Sequence, residues 1–487
     1  MTDPIHLPHA PHQTTLHASN DGAAESLLIR RAKAIMTGLD GTGMRHDVTA
    51  LGGDLRIRDG RIAAIGRLDP LPGERVIDAT GSVLMPGWVN THHHLFQSLL
   101  KGIPAGIDCG LMTWLSKVPV AYRRHFDHEA VMRLAARVGL VELLLSGCTT
   151  VADHQYHYYP GMPFDASAAV FDEAEALGVR FVLCRGGQTM ARAIDVNPPP
   201  QCRPETLEQF FAAVERDVHR YHDPGPFAMR RVVSAPTTPT WSVPVDHLKP
   251  IAQEARRLGI RLHSHLSETE DYVRFCHEVH GCSPVDFVAR HGWIGEDVWY
   301  AHLVHLNPRE IRTLAETGTG MAHCPQSNCR LGSGVAPVPA MLAAGVRVSL
   351  AVDGAASNEA ADMFHEAHTA WLVHRAVAGA QALSAEAVLR MGTFGGAQVL
   401  GLEGVGTLAV GQAADLVVLP LNEPRQWGLH DPGIAPVASG AGRPSHVLCA
   451  GRLVVDEGII PGLDMARLRA EAEAAVKVMQ QAMEVMA

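Results

Sequence analysis

Eight short apolar runs recur through the middle of this chain, and that rhythm limits its fold more than any other feature. The runs are Val83–Val89, Thr149–Ala152, Arg180–Leu183, Arg231–Ala235, Ile260–His265, Val298–His302, Gly318–His323 and Val346–Val352. Runs this short, bounded by turn-forming residues, read as buried strands. Helical stretches separate several of them: Val131, Leu134, Val138, Val141 and Leu145 fall along one helix face before the second run. Strands that alternate with helices imply a parallel sheet. Eight such units in about 270–320 residues predict a (β/α)8 TIM barrel of the α/β class. An open doubly wound sheet would call for a glycine-rich first turn, which is absent here.

The flanks have a different texture. Leu27–Ile29, Leu55–Ile57, Ile62–Ile65 and Val76–Ile77 precede the barrel, and Ala414–Leu419, Ser445–Ala450 and Leu453–Val455 follow it. Asp59-Gly60 marks a hairpin. These pieces predict a small β-sandwich domain built from both chain ends, over 26–84 plus 406–463, beside a catalytic barrel at 85–405. Residues 1–25, polar and rich in proline and histidine, are expected to form a disordered tail, and 464–487 a C-terminal helix.

Composition narrows the function classes. With 41 basic and 51 acidic side chains the net charge is −10, which argues against a nucleic-acid partner. No run approaches the ~18 apolar residues of a membrane span, and the N-terminal stretch lacks the basic and apolar regions of a secretory signal. Nine scattered cysteines with no Cys-x-x-Cys pair argue against a disulfide framework, so a cytoplasmic protein is expected. The phosphate loop, the His-Glu-x-x-His helix, the Gly-x-Ser-x-Gly elbow and the Pro-Cys-x-x-Cys deaminase signature are all missing.

What remains is histidine, 28 copies of it, and its placement. Chemistry in a barrel gathers at the C-terminal strand ends. The first run leads into Asn90-Thr91-His92-His93-His94, the fifth into His263-Ser264-His265-Leu266-Ser267-Glu268, the sixth ends Ala301-His302, and the eighth leads into Val352-Asp353-Gly354. Strand side chains alternate, so His92 and His94 project to one side and His93 to the other. Two neutral imidazoles so spaced suit one divalent ion. His265 and Asp353 would complete a mixed N/O shell with a position left for water. A lone strand histidine is ordinarily a hydrogen-bonded core residue; the convergence of several at one barrel rim is what favours ligation.

These segments, together with His323-Cys324-Pro325-Gln326-Ser327-Asn328 and Ala413-Ala414-Asp415-Leu416, resemble the amidohydrolase superfamily in its mononuclear deaminase and chlorohydrolase branch. The resemblance implies that His92, His94, His265 and Asp353 bind one divalent ion, Zn2+ first and Fe2+ as the alternative. It implies Glu268 as proton shuttle, with Asp353 able to share that role, and His302 as the electrostatic partner of the attacking hydroxide. Binuclear relatives use a lysine at the end of strand four; Met229 to Pro236 has none, which favours a single ion. A small heteroaromatic substrate and a homodimer are implied as well.

The substrate reading draws on the loops. Gln97 lies three residues past His94, and a similar glutamine contacts the purine in guanine-type deaminases of this branch. Trp114 suits ring stacking, and Arg185 with Gln188 after strand three suits a ring oxygen. His154 is a further candidate substrate contact. Pro236-Thr237-Thr238-Pro239 departs from the Arg-Phe pair of guanine deaminases. Ser146-Gly147-Cys148-Thr149-Thr150, Asp153-His154 and Cys184-Arg185-Gly186 look more like the 8-oxoguanine and isoxanthopterin deaminases. The expected reaction is hydrolytic deamination of a 2-amino oxo-pterin or oxo-purine. An s-triazine chlorohydrolase or aminohydrolase and an adenosine-type nucleoside deaminase share the same metal set, and a non-enzymatic metal-binding protein would not need Glu268.

Overall fold

The computed structural model describes residues 26–38, 53–191 and 200–484. The tail expected over 1–25 lies outside the described residues, as do 485–487 of the span expected to form the C-terminal helix. Eight strands form one sheet in sequential order: β1 Trp88–Asn90, β2 Cys148–Gln155, β3 Arg180–Arg185, β4 Arg230–Ser234, β5 Leu262–Leu266, β6 Val298–His302, β7 Gly320–His323 and β8 Val348–Leu350. Every neighbouring pair is parallel. The sheet closes on itself where Val352 N–H donates to Asn90 Oδ1 at 3.1 Å and Asp353 N–H to the His92 carbonyl at 3.1 Å. The TIM barrel is the architecture that the strand–helix rhythm calls for.

The first apolar run divides in a way that its sequence does not display. Ser82–Pro86 pairs antiparallel with Leu416–Pro420 in a flanking sheet, whereas Trp88–Asn90 starts the barrel. Gly87 is the crossing point. A Cβ there would lie 2.2 Å from Thr149 Oγ1, so glycine alone lets the chain pass this close to β2.

The flanking region holds two sheets. One orders Arg61–Gly66, Asp54–Arg58, Leu27–Arg30 and Arg75–Asp78; the other orders Arg452–Val455, His446–Cys449, Leu416–Pro420, Ser82–Pro86 and Ala34–Ile35. The first is wholly N-terminal, and the second joins the two chain ends. Asp59 and Gly60 both have positive φ (51° and 73°), the backbone a tight primed hairpin requires. An ion pair locks this region to the barrel: Arg180, at the start of β3, reaches Asp415 with contacts of 2.9–3.2 Å, and both side chains are buried. The helix Met465–Glu484 packs against Glu129–Leu145, whose apolar stripe faces the barrel. Among the described residues no helix is long and apolar enough to cross a membrane.

Candidate active site

Histidines and carboxylates converge at the C-terminal rim. His92 and His94 leave β1, His265 lies on β5, His302 ends β6, and Asp353 follows β8. His92 Nε2 and His94 Nε2 each lie 3.3 Å from Asp353 Oδ1, and His265 Nε2 lies 3.3 Å from His94 Nε2. All are buried or nearly so. His302 and Asp353 hold positive φ (78° and 60°), and Ser267 does too (52°). Strained backbone of this kind collects where a site fixes its side chains.

The partners of each ring fix its tautomer. His94 Nδ1 faces the His154 carbonyl at 2.8 Å and His265 Nδ1 the Thr237 carbonyl at 2.6 Å, so both carry their proton on Nδ1. His263 Nδ1 faces the Trp299 carbonyl at 3.0 Å, which leaves its Nε2 as the acceptor for His92 Nδ1–H at 2.8 Å. Each of the three rings therefore turns an Nε2 lone pair to the same point. Burial pushes His92 and His265 well below the ordinary imidazole range, which keeps them neutral.

Three lone pairs and a carboxylate oxygen meeting this closely repel one another unless a cation lies between them. His92 Nε2 is buried with no hydrogen-bond partner. The donor set is three imidazoles and one carboxylate, which fits a divalent ion of the zinc type. Ser327 Oγ–H at 2.5 Å and Ser357 Oγ–H at 3.2 Å donate to the other oxygen of Asp353, leaving Oδ1 for the centre. His154 packs among these rings, with Nε2–H donating to the Ala235 carbonyl at 2.7 Å. One nitrogen of His154 and one each of His92, His94 and His265 lie within 4.8 Å of one another.

Next to this centre are the acid–base groups. Glu268 is buried, and burial raises its carboxyl above the usual range, with His302 opposing. Its Oε2 lies 3.7 Å from His302 Nε2, while His302 Nδ1–H donates to Asn328 Oδ1 at 3.0 Å. A cleft opens over His94, His265, Glu268, His302 and Asp353.

Of the substrate contacts expected from the loops, Gln97, Trp114 and Gln188 line the cleft. Gln97 donates from Nε2 to Tyr156 Oη at 2.9 Å and keeps a buried Oε1 with no partner. Trp114 is anchored by Nε1–H to the Ala356 carbonyl at 3.1 Å, and Gln188 by its amide to the Cys202 carbonyl. Arg185 and His154 are not in the cleft wall. Arg185 is turned away into a bidentate pair with Glu205 at 2.6 and 2.7 Å and lies over the Tyr158 ring. The arginine in the wall is Arg123, with Tyr156 beside it. Neither stands out in sequence, because each reaches the cleft through tertiary packing. Tyr156 sits just beyond β2, one position past its end, and Arg123 opens the short helical turn Arg123–Asp127 at the end of a helical stretch that starts at Leu111.

The chain is also similar to known proteins. The model described as "Amidohydrolase family" matches residues 83–454. The chain is 54% identical over 470 residues to an isoxanthopterin deaminase from an unknown prokaryotic organism, covering 93% of this chain and 97% of that one. It is 38% identical over 458 residues to an 8-oxoguanine deaminase of Pseudomonas aeruginosa, covering 93% and 98%. Among solved structures, atrazine chlorohydrolase TrzN from Arthrobacter aurescens TC1, complexed with zinc, superposes with a TM-score of 0.85 at 29% identity, covering 92% of this chain and all of that one.

Proposed function

The chain belongs to the amidohydrolase family and is a hydrolytic deaminase, and from that premise we propose that its substrate is a 2-amino oxo-pterin or oxo-purine. The observation that carries this reading is the three Nε2 lone pairs and one carboxylate directed at a single point, with Glu268 and His302 beside it under an aromatic cleft. The substrate class is supported by the two deaminase relatives and by the polar wall that Gln97 supplies.

His92, His94, His265 and Asp353 would hold one divalent ion, and zinc is the proposed identity because the donor set suits it and the similar atrazine chlorohydrolase is complexed with it. Such an ion lowers the pKa of a bound water from 15.7 to about 7. The rest of the chemistry belongs to the side chains. Glu268, its carboxyl raised by burial, is suited to take the proton of the attacking water. The same carboxylate returns that proton to the ring nitrogen beside the amine-bearing carbon; the second proton of the attacking oxygen passes by way of Asp353 to the amine, which leaves as ammonia as the carbonyl forms. His302, fixed through Nδ1–H by Asn328, presents its Nε2 lone pair to accept from and orient the attacking water. Gln97 Oε1 accepts a ring or amine N–H, and Trp114 covers a ring face.

The protein is proposed to work in the cytoplasm as a homodimer. Nine free cysteines support a reducing compartment, and the dimer rests on resemblance to similar enzymes. An ammonia-release screen of the purified protein over pterins, purines, s-triazines and adenosine derivatives tests the substrate class. The reading expects oxo-pterins or oxo-purines to lead, and a lead by triazines or nucleosides would overturn it.

A further inference from the structure

The fold treats its buried arginines in two ways. Arg180 and Arg185 each meet a carboxylate in a bidentate pair, Asp415 and Glu205 respectively. Arg123 is 7% exposed and meets none within 4.0 Å among the described residues. Its hydrogen bonds go to neutral acceptors: Nε–H to His157 Nδ1 at 2.8 Å, Nη2–H to the Tyr156 carbonyl at 2.8 Å, and Nη1–H to Cys202 Sγ at 3.5 Å. Burial lowers His157 to about 4, so that ring is neutral, and its proton sits on Nε2, 3.6 Å from Asp127. Three of the five guanidinium N–H groups are thereby used. Two remain, one on each Nη, on a cation in the cleft wall.

Among the described cleft residues, Arg123 carries the one guanidinium or ammonium group. Its place relative to the reacting centre is set by Tyr156. The guanidinium carbon lies 5.8 Å from the Tyr156 ring centroid, and the same ring lies 4.8 Å from that of His94. Arg123 is thus one aromatic ring removed from the imidazole centre, on the side of the cleft that also holds Gln97. A desolvated cation without a counter-ion is unfavourable, and a fork of N–H groups suits an anionic oxygen.

We propose that Arg123 is the specificity-determining residue of the cleft, and that its two remaining Nη N–H groups take a lactam oxygen, as its enolate, on the substrate ring remote from the amine. The assignment rests on the oxo-pterin or oxo-purine reading and deepens it. It explains how the cleft separates ring systems oxygenated on both rings from those oxygenated on the amine-bearing ring alone. The role given to arginine in the sequence passes from Arg185, held by Glu205, to Arg123. His157 and the Tyr156 carbonyl act as positioning groups that orient the fork.

The test pairs two amino-pteridines, one oxygenated on both rings (isoxanthopterin) and one on the amine-bearing ring alone (pterin), against wild type, Arg123→Gln and Arg123→Lys. The proposal expects kcat/KM for the doubly oxygenated substrate to fall about 100-fold further than for the singly oxygenated one in Arg123→Gln, the scale of a lost charge-assisted hydrogen bond. Arg123→Lys, keeping the charge without the fork, should restore part of that difference. Equilibrium binding of the two matching deaminated products, read by tryptophan fluorescence, should show the same selective loss without turnover. Equal losses on both substrates, or unchanged product binding in Arg123→Gln, would overturn the proposal while leaving the deaminase reading intact. If wild type turns over neither pteridine nor the corresponding 8-oxopurine, the substrate reading fails, and the assignment of Arg123 with it.

Discussion

At the scale of single residues, the proposed ligand quartet rests on two local rules. Strand alternation puts His92 and His94 on one side, and barrel topology puts strand ends together. What the sequence does not display is the relay behind them. His263 looks like a neighbouring strand histidine, yet with the Trp299 carbonyl it sets the tautomer of His92. His263→Ala should therefore lower metal affinity about 10–100-fold, read by competition with a chelator, while the fold and the four ligands persist. Glu268→Gln should keep its metal and lose about 10²–10⁴-fold in kcat, since one carboxylate carries the proton both ways. Full turnover in that variant would remove Glu268 from the reaction. Arg185 stands outside the cleft wall for a reason of the same kind. Arg185 stands at a strand end, but Glu205 captures it, and no local pattern announces that pairing.

At the scale of elements, the eight strands were readable from apolar runs, although the first run proved to be two strands that part at Gly87. A single glycine cannot be told from a turn until Thr149 is seen pressing against it. The junction between barrel and flanking sheets depends on Arg180 and Asp415. Asp415→Ala leaves the guanidinium buried and uncompensated, and denaturant unfolding should show a loss of about 3–5 kcal/mol. In the N-terminal sheet, Glu74 accepts from Arg56 at 2.7 and 3.0 Å, and that contact, with help from Ser26 and the Leu71 amide, lowers its carboxyl from 4.5 to about 2. A lowered folded pKa contributes stability that is complete above the unfolded value and disappears as pH falls through the folded one. The stability difference between wild type and Glu74→Gln should thus be about 1–3 kcal/mol near pH 6 and shrink steadily between about pH 4.5 and pH 2. A difference independent of pH would show that the ion pair is not its source.

For the whole molecule, the division into a barrel and flanking β sheets built from both ends was recoverable from texture alone, since strand–helix alternation and hairpin-rich flanks look different in sequence. Function followed from where the histidines stand in that architecture and not from their number. Several of the 28 are tied to carbonyls or carboxylates far from the centre, as His280, His368 and His446 are. The central claim is that one cation site at the barrel rim, held by His92, His94, His265 and Asp353, carries out deamination of an amino-oxo heterocycle. The most direct measurement is ammonia release from isoxanthopterin by chelator-stripped protein as Zn2+ is titrated back. The account predicts negligible activity in the stripped protein and a linear rise that saturates at one ion per chain. Full turnover in the stripped protein, or saturation at two ions per chain, would contradict it.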